Sequence, residues 1–389
     1  MAEAILRAKK KILLSKIEAI YADDPNPSVG ANAVMVKNID ITPMEIEAQA
    51  RDNIKPYFGN DEDVTAVAYA KVSFEVELTG SGTAGTVPPI GQLLRGAGMA
   101  ETVLAAAVTG TAASGSLSKI VLAAGASATD NAYAGLTINF TAGANAGKSA
   151  VIKSYIAATK EATLTESMPV AIDNTSVYTI PAQVVYHRIT DSLESITHYA
   201  YFDKVLHKMI GARGSASLSL SNKKVPTVKF SYTCIYVPVI DAPAPPASFA
   251  SREKPLAVNS INTKSVKVLG YDKAVFSELS FDLANEVTFR SLPGAPERVE
   301  ITDSKPTGLL TQEATTVATK DWWSAIRNAD VGALSLTHGV DVGNIIKIDC
   351  PRVQLGKPTY SELDGIQMLQ TSLKLLPDEG NDELTICFL

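Results

Sequence analysis

Val72-Ser73-Phe74-Glu75-Val76-Glu77 puts a large apolar side chain on every second residue, with polar residues between. Successive side chains along a strand point to opposite faces, so this spacing buries one face and leaves the other to water or a neighbour. Leu279-Ser280-Phe281-Asp282-Leu283-Ala284 repeats the pattern position by position: Leu or β-branched, Ser, Phe, acid, Leu or β-branched. The match predicts two copies of one β-rich unit. The first copy continues from the strand Val64 to Leu78 into a Gly-rich turn, Gly80 to Gly85, and a short helix over Pro89 to Ala97. Proline is favoured at a helix start because its missing N–H would be unpaired there. The second copy reads as a strand over Leu279–Phe289, a loop around Pro293, Gly294 and Pro296, and a helix near Asp321–Ala329. The strands Ala333–Thr337, Asn344–Asp349 and Gln367–Leu376 follow. Leu94-Arg95-Gly96-Ala97 matches Ile326-Arg327-Asn328-Ala329, and Phe230 to Pro238 matches Leu369 to Pro377, so three landmarks recur in one order.

Outward from these strands, residues 1 to 21 fit a helix through Leu13, Ile17 and Ile20, and equally a strand through Leu13, Ser15, Ile17, Ala19 and Tyr21. Asp23-Asp24-Pro25-Asn26-Pro27 breaks regular structure. A strand is expected over Ala33–Ile41, ending at Thr42-Pro43, followed by a polar exposed arm over Glu45–Asp63. Such loops commonly make contacts, which singles out Arg51, Asp52, Tyr57, Phe58, Asp61 and Glu62. Between Val108 and Pro181, Ala, Gly, Thr and Ser dominate, with strand-like runs at Ile120–Leu122, Leu136–Phe140, Ser149–Ile156 and Thr163–Thr165. This predicts a small β-module inserted in the first copy. The original texture resumes in a hairpin over Ser195–Ile210 and a return strand over Arg213–Val237. Asp241-Ala242-Pro243-Ala244-Pro245-Pro246-Ala247 then reads as a stiff connector. The expected units are 1–107 with 182–240, the module 108–181, a linker 241–254, and a second unit 255–389.

A chain of 389 residues with 46% apolar and 20% charged residues is globular and long enough for two or three cores. Its net charge of −6 argues against a general grip on nucleic acid, which needs clustered Lys and Arg. Cys234, Cys350 and Cys387 are odd in number and widely spaced, which supports neither a disulfide framework nor a zinc site. Arg7, Lys9, Lys10 and Lys11 precede an apolar run, but Lys16 and Glu18 interrupt it and no small-residue cleavage site follows. No apolar stretch reaches the length of a membrane span.

Two glycine motifs invite a nucleotide reading. Gly80-Ser81-Gly82-Thr83-Ala84-Gly85 spells G-x-G-x-x-G, with Glu101 downstream where a ribose-binding acid would sit. A dinucleotide-binding first strand is buried on both faces, whereas Lys71, Ser73, Glu75 and Glu77 alternate with the hydrophobes here. Pro88-Pro89 also separates the glycines from the helix, so a flexible turn is expected. Gly143-Ala144-Asn145-Ala146-Gly147-Lys148-Ser149 has the wrong spacing for a phosphate loop and leads into a strand, which predicts a hairpin turn. His187, His198, His207 and His338 lack metal-ligand spacing, and Asp61-Glu62-Asp63 lacks that of a calcium loop. Trp322-Trp323 reads as one core residue beside one interface residue, or as a ligand-stacking platform. No catalytic residue, cofactor or metal is expected.

Tyr201-Phe202-Asp203-Lys204-Val205-Leu206-His207-Lys208-Met209-Ile210-Gly211-Ala212-Arg213-Gly214-Ser215 resembles the major tail tube proteins of long-tailed bacteriophages. So do Val225-Pro226-Thr227-Val228-Lys229-Phe230 to Ile235-Tyr236, Gly30-Ala31-Asn32-Ala33-Val34, and Val72 to Gly85 with Leu93-Leu94-Arg95. Ala123 to Asp130 and Ala144 to Lys148 are similar to small β-modules of phage structural proteins. The resemblance implies a mainly β fold: two tandem β-sandwich or barrel domains, each with a flanking helix, plus a small inserted all-β module. It implies stacked rings, pseudo-hexameric through three duplicated chains, around a lumen that conducts DNA without specific binding. Tape-measure, tail-tip and tail-terminator proteins are the implied partners, and the virion tail, assembled in the bacterial cytoplasm, the implied location. The arm residues and Trp322 and Trp323 would then be inter-ring or subunit contacts. A β-modular adhesin or carbohydrate-binding virion protein, using Tyr and Trp as its contact surface, is the alternative, and a nucleotide-dependent enzyme using Gly80–Gly85 the third reading.

Overall fold

The computed structural model describes residues 5–247, 249 and 253–389. Part of the expected linker, at Ser248, Ala250, Ser251 and Arg252, lies outside the described residues, as do Met1 to Ala4. The fold is mainly β. Strands β1 (Lys11–Ile17), β2 (Ala33–Val34), β3 (Lys37–Gln49) and β4 (Val64–Glu77) lead to helix α1 (Gly91–Gly96) and β5 (Met99–Leu104). Seven short strands follow: β6 (Val108–Thr111), β7 (Ser114–Gly115), β8 (Lys119–Val121), β9 (Thr137–Ala142), β10 (Ser149–Ile156), β11 (Glu161–Leu164) and β12 (Val177–Ile180). The chain returns through β13 (Gln183–Arg188), β14 (Ile196–Phe202), β15 (Val205–Ser221), β16 (Thr227–Tyr236) and β17 (Ile240–Asp241). The remaining elements are β18 (Thr263–Val268), β19 (Phe276–Asp282), β20 (Asn285–Arg290), β21 (Arg298–Ser304) and β22 (Thr307–Glu313). Helix α2 (Trp322–Arg327) precedes β23 (Val331–His338), β24 (Ile346–Leu363), β25 (Ile366–Leu376) and β26 (Thr385–Phe388).

Antiparallel pairing gives the order β3-β4-β16-β15-β14-β1 before residue 240. After it, the order β19-β22-β25-β24-β23-β18 is the same arrangement, again antiparallel throughout. Each helix follows the second strand of its set, α1 after β4 and α2 after β22. The two sets meet where Ser217–Ser221 of β15 pairs with Glu278–Asp282 of β19. They also meet through β26, which bridges β13 and the first residues of β24. The alternation that marks β4 is therefore shared by strands in different places. Val72–Glu77 is the second strand of its set, whereas Leu279–Asp282 lies in the first strand of the other. Both bury one face, and that common burial explains the matching sequence; the true counterpart of β4 is β22.

One hydrophobic core runs through both sets, from Phe74, Phe230 and Tyr232 to Phe281, Trp322 and Leu336. Phe74 lies 5.8 Å from Phe230 and 6.0 Å from Tyr232 between ring centroids. The residues between Val108 and Ile180 form a seven-stranded sheet with its own core around Ile138, Phe140, Tyr155 and Tyr178. Gln183 ties that sheet to the rest, accepting from the Thr137 N–H at 2.9 Å and donating to the Thr137 carbonyl at 3.1 Å.

Several sequence boundaries move. Residues 11–17 are a strand, which settles the helix-or-strand ambiguity of the N-terminal segment. The strand expected to stop at Thr42-Pro43 continues to Gln49, because Pro43 falls in a register shift between Thr42 and Glu45 where no ladder N–H is needed. Helix α1 begins at Gly91 behind an Ile90 cap, so Pro89 lies outside it. The strand expected over Leu279–Phe289 breaks at Ala284, which adopts a positive φ of 47° and turns the chain into a separate hairpin. The hairpin and return strand expected over 195–237 are three strands, with β15 passing unbroken through a register shift between Ile210 and Arg213. The strand expected at Asn344–Asp349 extends to Leu363.

Candidate assembly surfaces

The arm is a two-stranded extension. Glu45 to Gln49 pairs with Val64 to Tyr69, and residues 50–63 form its tip. At the tip the charges are matched to one another: Arg51 lies 2.8 Å from Glu62, and Lys55 pairs with Asp61, which also accepts the Asn53 N–H at 3.0 Å. The Lys55 ammonium holds the Asp61 carboxyl below its ordinary range. Asp52 is exposed. The large side chains at the tip left without cover are apolar. Ile54 and Phe58 are 104% and 107% exposed, and Tyr57 is exposed beside them in sequence. Three large apolar side chains on one projecting loop are the kind of surface that marks an interaction site.

The two tryptophans separate. Trp322 is 1% exposed, donates Nε1–H to Thr315 Oγ1 at 2.9 Å and packs edge-on to Tyr271. Trp323, one residue on along a helix, is turned away by about 100°, is 39% exposed, and meets Tyr360 of β24 edge-on at 5.5 Å. Asp321 caps the helix by accepting from the Ser324 N–H at 2.9 Å, which fixes both indoles. Tyr360, Leu363 and Ile366 are exposed around the β24–β25 turn, and sequence reading passed over all three.

The corresponding surfaces inside the chain are covered. Hairpin β20–β21 lies against the first set of strands, with Phe289 stacked on Tyr69 at 5.0 Å and Val299 fully buried. Arg213 donates to the Val299 carbonyl at 3.0 Å and pairs with Glu300, while Tyr21 accommodates the guanidinium on its ring face. Asn285 donates to the carbonyls of Ala97 and Gly214 at 2.7 and 2.9 Å. Arg213 and Asn285 carry no motif that would single them out, since their partners lie in distant parts of the chain.

The face of the joined strands opposite the core carries Ser73, Glu75, Ser217, Ser219, Glu278 and Ser280, all half-buried, and among them the exposed Lys71, Lys229 and Lys374, Lys229 facing both Glu75 and Ser217. Lysines, acids and hydroxyls alternate here, so the face is of mixed charge and not a run of cations for phosphate. The glycine motif at 80–85 is a packed contact between the two sets. Gly80 donates to Asn344 Oδ1 at 2.8 Å and Gly82 to the Gly343 carbonyl at 3.0 Å. A Cβ on Gly80 would sit 1.9 Å from the Gly343 oxygen, so that glycine is there for close approach. Gly143–Ser149 joins β9 to β10 as a hairpin turn. The four histidines do not converge: His198 is buried against Ser15, His338 bonds Thr263, and among the described residues no His, Cys, Asp and Glu cluster could hold a metal. Cys234, Cys350 and Cys387 are buried thiols, and burial pushes Cys387 up to about 12. Among the described residues no helix is long and apolar enough to cross a membrane.

No curated protein matches the chain. The model of a family described as phage tail tube protein matches residues 9–372, a span that includes the first set of strands, the arm, the inserted sheet, both tryptophans and the second set as far as the middle of β25. With almost its whole length matched, and with a mainly β fold that presents open sheet edges and an uncovered apolar arm, the chain belongs to the phage tail tube protein family.

Proposed function

We propose that this tail tube subunit closes as a trimer into pseudo-hexameric rings, and that stacked rings form the conduit for DNA. The observation that carries this reading is the repeated strand order. One chain holds two sets with the same antiparallel arrangement, joined at a β15–β19 junction, and a ring of six equivalent positions needs three such chains. Closing the ring also pairs edges that would otherwise template aggregation. The face bearing Ser73, Glu75, Ser217, Ser219, Glu278 and Ser280 is the proposed lumen wall. Its carboxylates Glu75 and Glu278 offset Lys71, Lys229 and Lys374, so it offers phosphate no uniformly cationic track, and with its hydroxyls holding water DNA slides past without adhering. The mechanism is passive, and no catalytic step is assigned.

The residues 1–107 with 182–240 would form the first tube unit, 255–389 the second, and 108–181 a module set apart from the tube wall, with 241–254 as the joint. Tape-measure, tail-tip and tail-terminator proteins are the proposed further partners, and assembly would take place in the bacterial cytoplasm. Negative-stain microscopy of the purified protein tests the reading. Rings with threefold symmetry and six similar lobes, stacking into tubes as concentration rises, are the expected result. A chain that stays monomeric at high concentration in assembly conditions would overturn it.

A further inference from the structure

The junction inside the chain is a template for the contact between chains. Strands β15 and β24 hold the same place in their sets, as do β19 and β3. The end of β24, Pro358–Leu363, whose last residues Ser361–Leu363 correspond to Ser217–Ser219 of the junction, pairs only with β25 among the described residues. Among the described residues strand β3 pairs only with β4. Each open edge is therefore the counterpart of an edge that is already paired elsewhere in the same molecule.

We infer that, in the ring proposed above, the open edge of β3 pairs antiparallel with Pro358–Leu363 of the next copy, and that the arm tip lies over that copy's Trp323 and Tyr360. The occupant of each surface is thus a second copy of this chain. The register follows from the two sets. Ser219 faces Thr227 as Leu363 faces Ile366, once Phe230–Pro238 is laid on Leu369–Pro377. Ser280 faces Leu309, which faces Ser372; Thr42 faces Lys71, which faces Thr233, the counterpart of Ser372. The Ser219–Ser280 pair within the chain accordingly becomes Leu363 with Thr42 of the next copy, and Ser217–Asp282 becomes Ser361 with Glu45.

The arm completes the parallel. Hairpin β20–β21 leaves β19 and covers β15 and β16; the arm leaves β3 at the same place, and among the described residues its strand β3 packs on β4. Four of the six charges at its tip pair with one another and Asp52 and Asp63 face water, which leaves Ile54, Tyr57 and Phe58 for an apolar partner. Trp323, Tyr360 and Leu363 offer one beside the open edge of β24.

Disulfide trapping in assembled rings tests the seam. Facing residues in an antiparallel pair have Cα atoms about 4.5–5.5 Å apart, inside the range of about 4.4–6.8 Å that a disulfide spans. Under mild oxidation, Thr42→Cys/Leu363→Cys and Glu45→Cys/Ser361→Cys are expected to give a ladder of linked species, while each single variant runs as a monomer. The native cysteines are buried and add no background. In the unmodified protein, amide exchange at 39–45 and 359–363 is expected to slow at least tenfold on ring formation. Rings that form without either cross-link, and with exchange at those residues unchanged, overturn the seam and leave the ring standing. An unmodified chain that forms no ring overturns both.

Discussion

Acid is expected to destabilise the subunit through one buried side chain. His198 on β14 is fully buried between Phe74, at 5.8 Å, and Tyr232, at 4.6 Å, with Nδ1 2.8 Å from Ser15 Oγ. Among the described residues Nε2 has no partner, and burial lowers the imidazole pKa to about 3. In the unfolded chain the same group titrates near its ordinary value of about 6.5. Below that pH the unfolded state binds a proton that the folded state refuses, so stability falls as pH falls, by about 1.4 kcal/mol per unit, until the folded value is reached. Between pH 7 and pH 5 the loss is about 2 kcal/mol. With an m-value of about 3 kcal/mol/M, this moves a urea midpoint by about 0.7 M. His198→Gln can keep the bond to Ser15 but does not titrate. The assay is urea unfolding of the unassembled chain at both pH values, read from Trp322 fluorescence, since one core joins both sets of strands. Burial also lowers His187, His207 and His338, but both proteins carry them, so their effect cancels in the comparison. Wild type is expected to lose the extra 2 kcal/mol or so relative to the variant. Parallel losses in the two proteins would refute the assignment of the buried neutral imidazole.

Phe74→Ala removes a ring packed on Phe230 and Tyr232 and is expected to cost about 3–5 kcal/mol by denaturant titration. Glu18 accepts from Ser195 Oγ and Thr197 Oγ1 at 2.5 Å and from the Gly211 N–H at 2.7 Å, so Glu18→Ala strands buried donors and should cost about 3 kcal/mol in the same assay. Trp322→Ala is expected to cost about 3–5 kcal/mol, whereas Trp323→Ala should change monomer stability by less than about 1 kcal/mol and still weaken ring formation by sedimentation. Replacing residues 51–62 with a short Gly-Ser turn should leave the melting temperature of the unassembled chain within a few degrees, about what ~1 kcal/mol produces, and abolish rings by microscopy.

The parts legible in the sequence were those with a buried face. Phe74 and Val76 in β4, and Phe230, Tyr232 and Cys234 in β16, alternate because every second side chain enters the core. Glu45–Gln49 and Lys357–Leu363 are strands too, yet both faces of each are largely exposed in a single copy, so no alternation writes them into the sequence. The arm's reach was visible in its polarity, but not that it is partly a hairpin. Trp322 and Trp323 could be divided into one core and one outer residue, but the choice needed the helix phase that Asp321 sets. Other features depend on partners far along the chain. Gly80 with Asn344, Glu18 with Ser195 and Arg213 with Glu300 are brought together by topology, and no local pattern encodes them.

The two open edges share a further feature that bears on how a ring could close without runaway aggregation. Pro43 in β3 and Pro358 in β24 each sit at a register shift on the exposed edge. Proline removes a ladder donor and the shift bends the strand, two devices that shorten the run of backbone available to a stray partner. The paired length left on either edge is a few residues, too short to hold two chains by backbone bonds alone. In the proposed ring, association would then depend on the arm, because only a partner that also presents an apolar surface to Ile54, Tyr57 and Phe58 gains enough burial to order the tip. A chain offering an edge but no such surface would be rejected, and the proposed partner offering both is a second copy of this chain. On this argument the prolines supply selectivity and the arm supplies affinity. Pro43→Val should therefore increase off-pathway aggregation in light scattering while leaving ring formation intact; unchanged scattering would mean that the edge is guarded by something other than its proline.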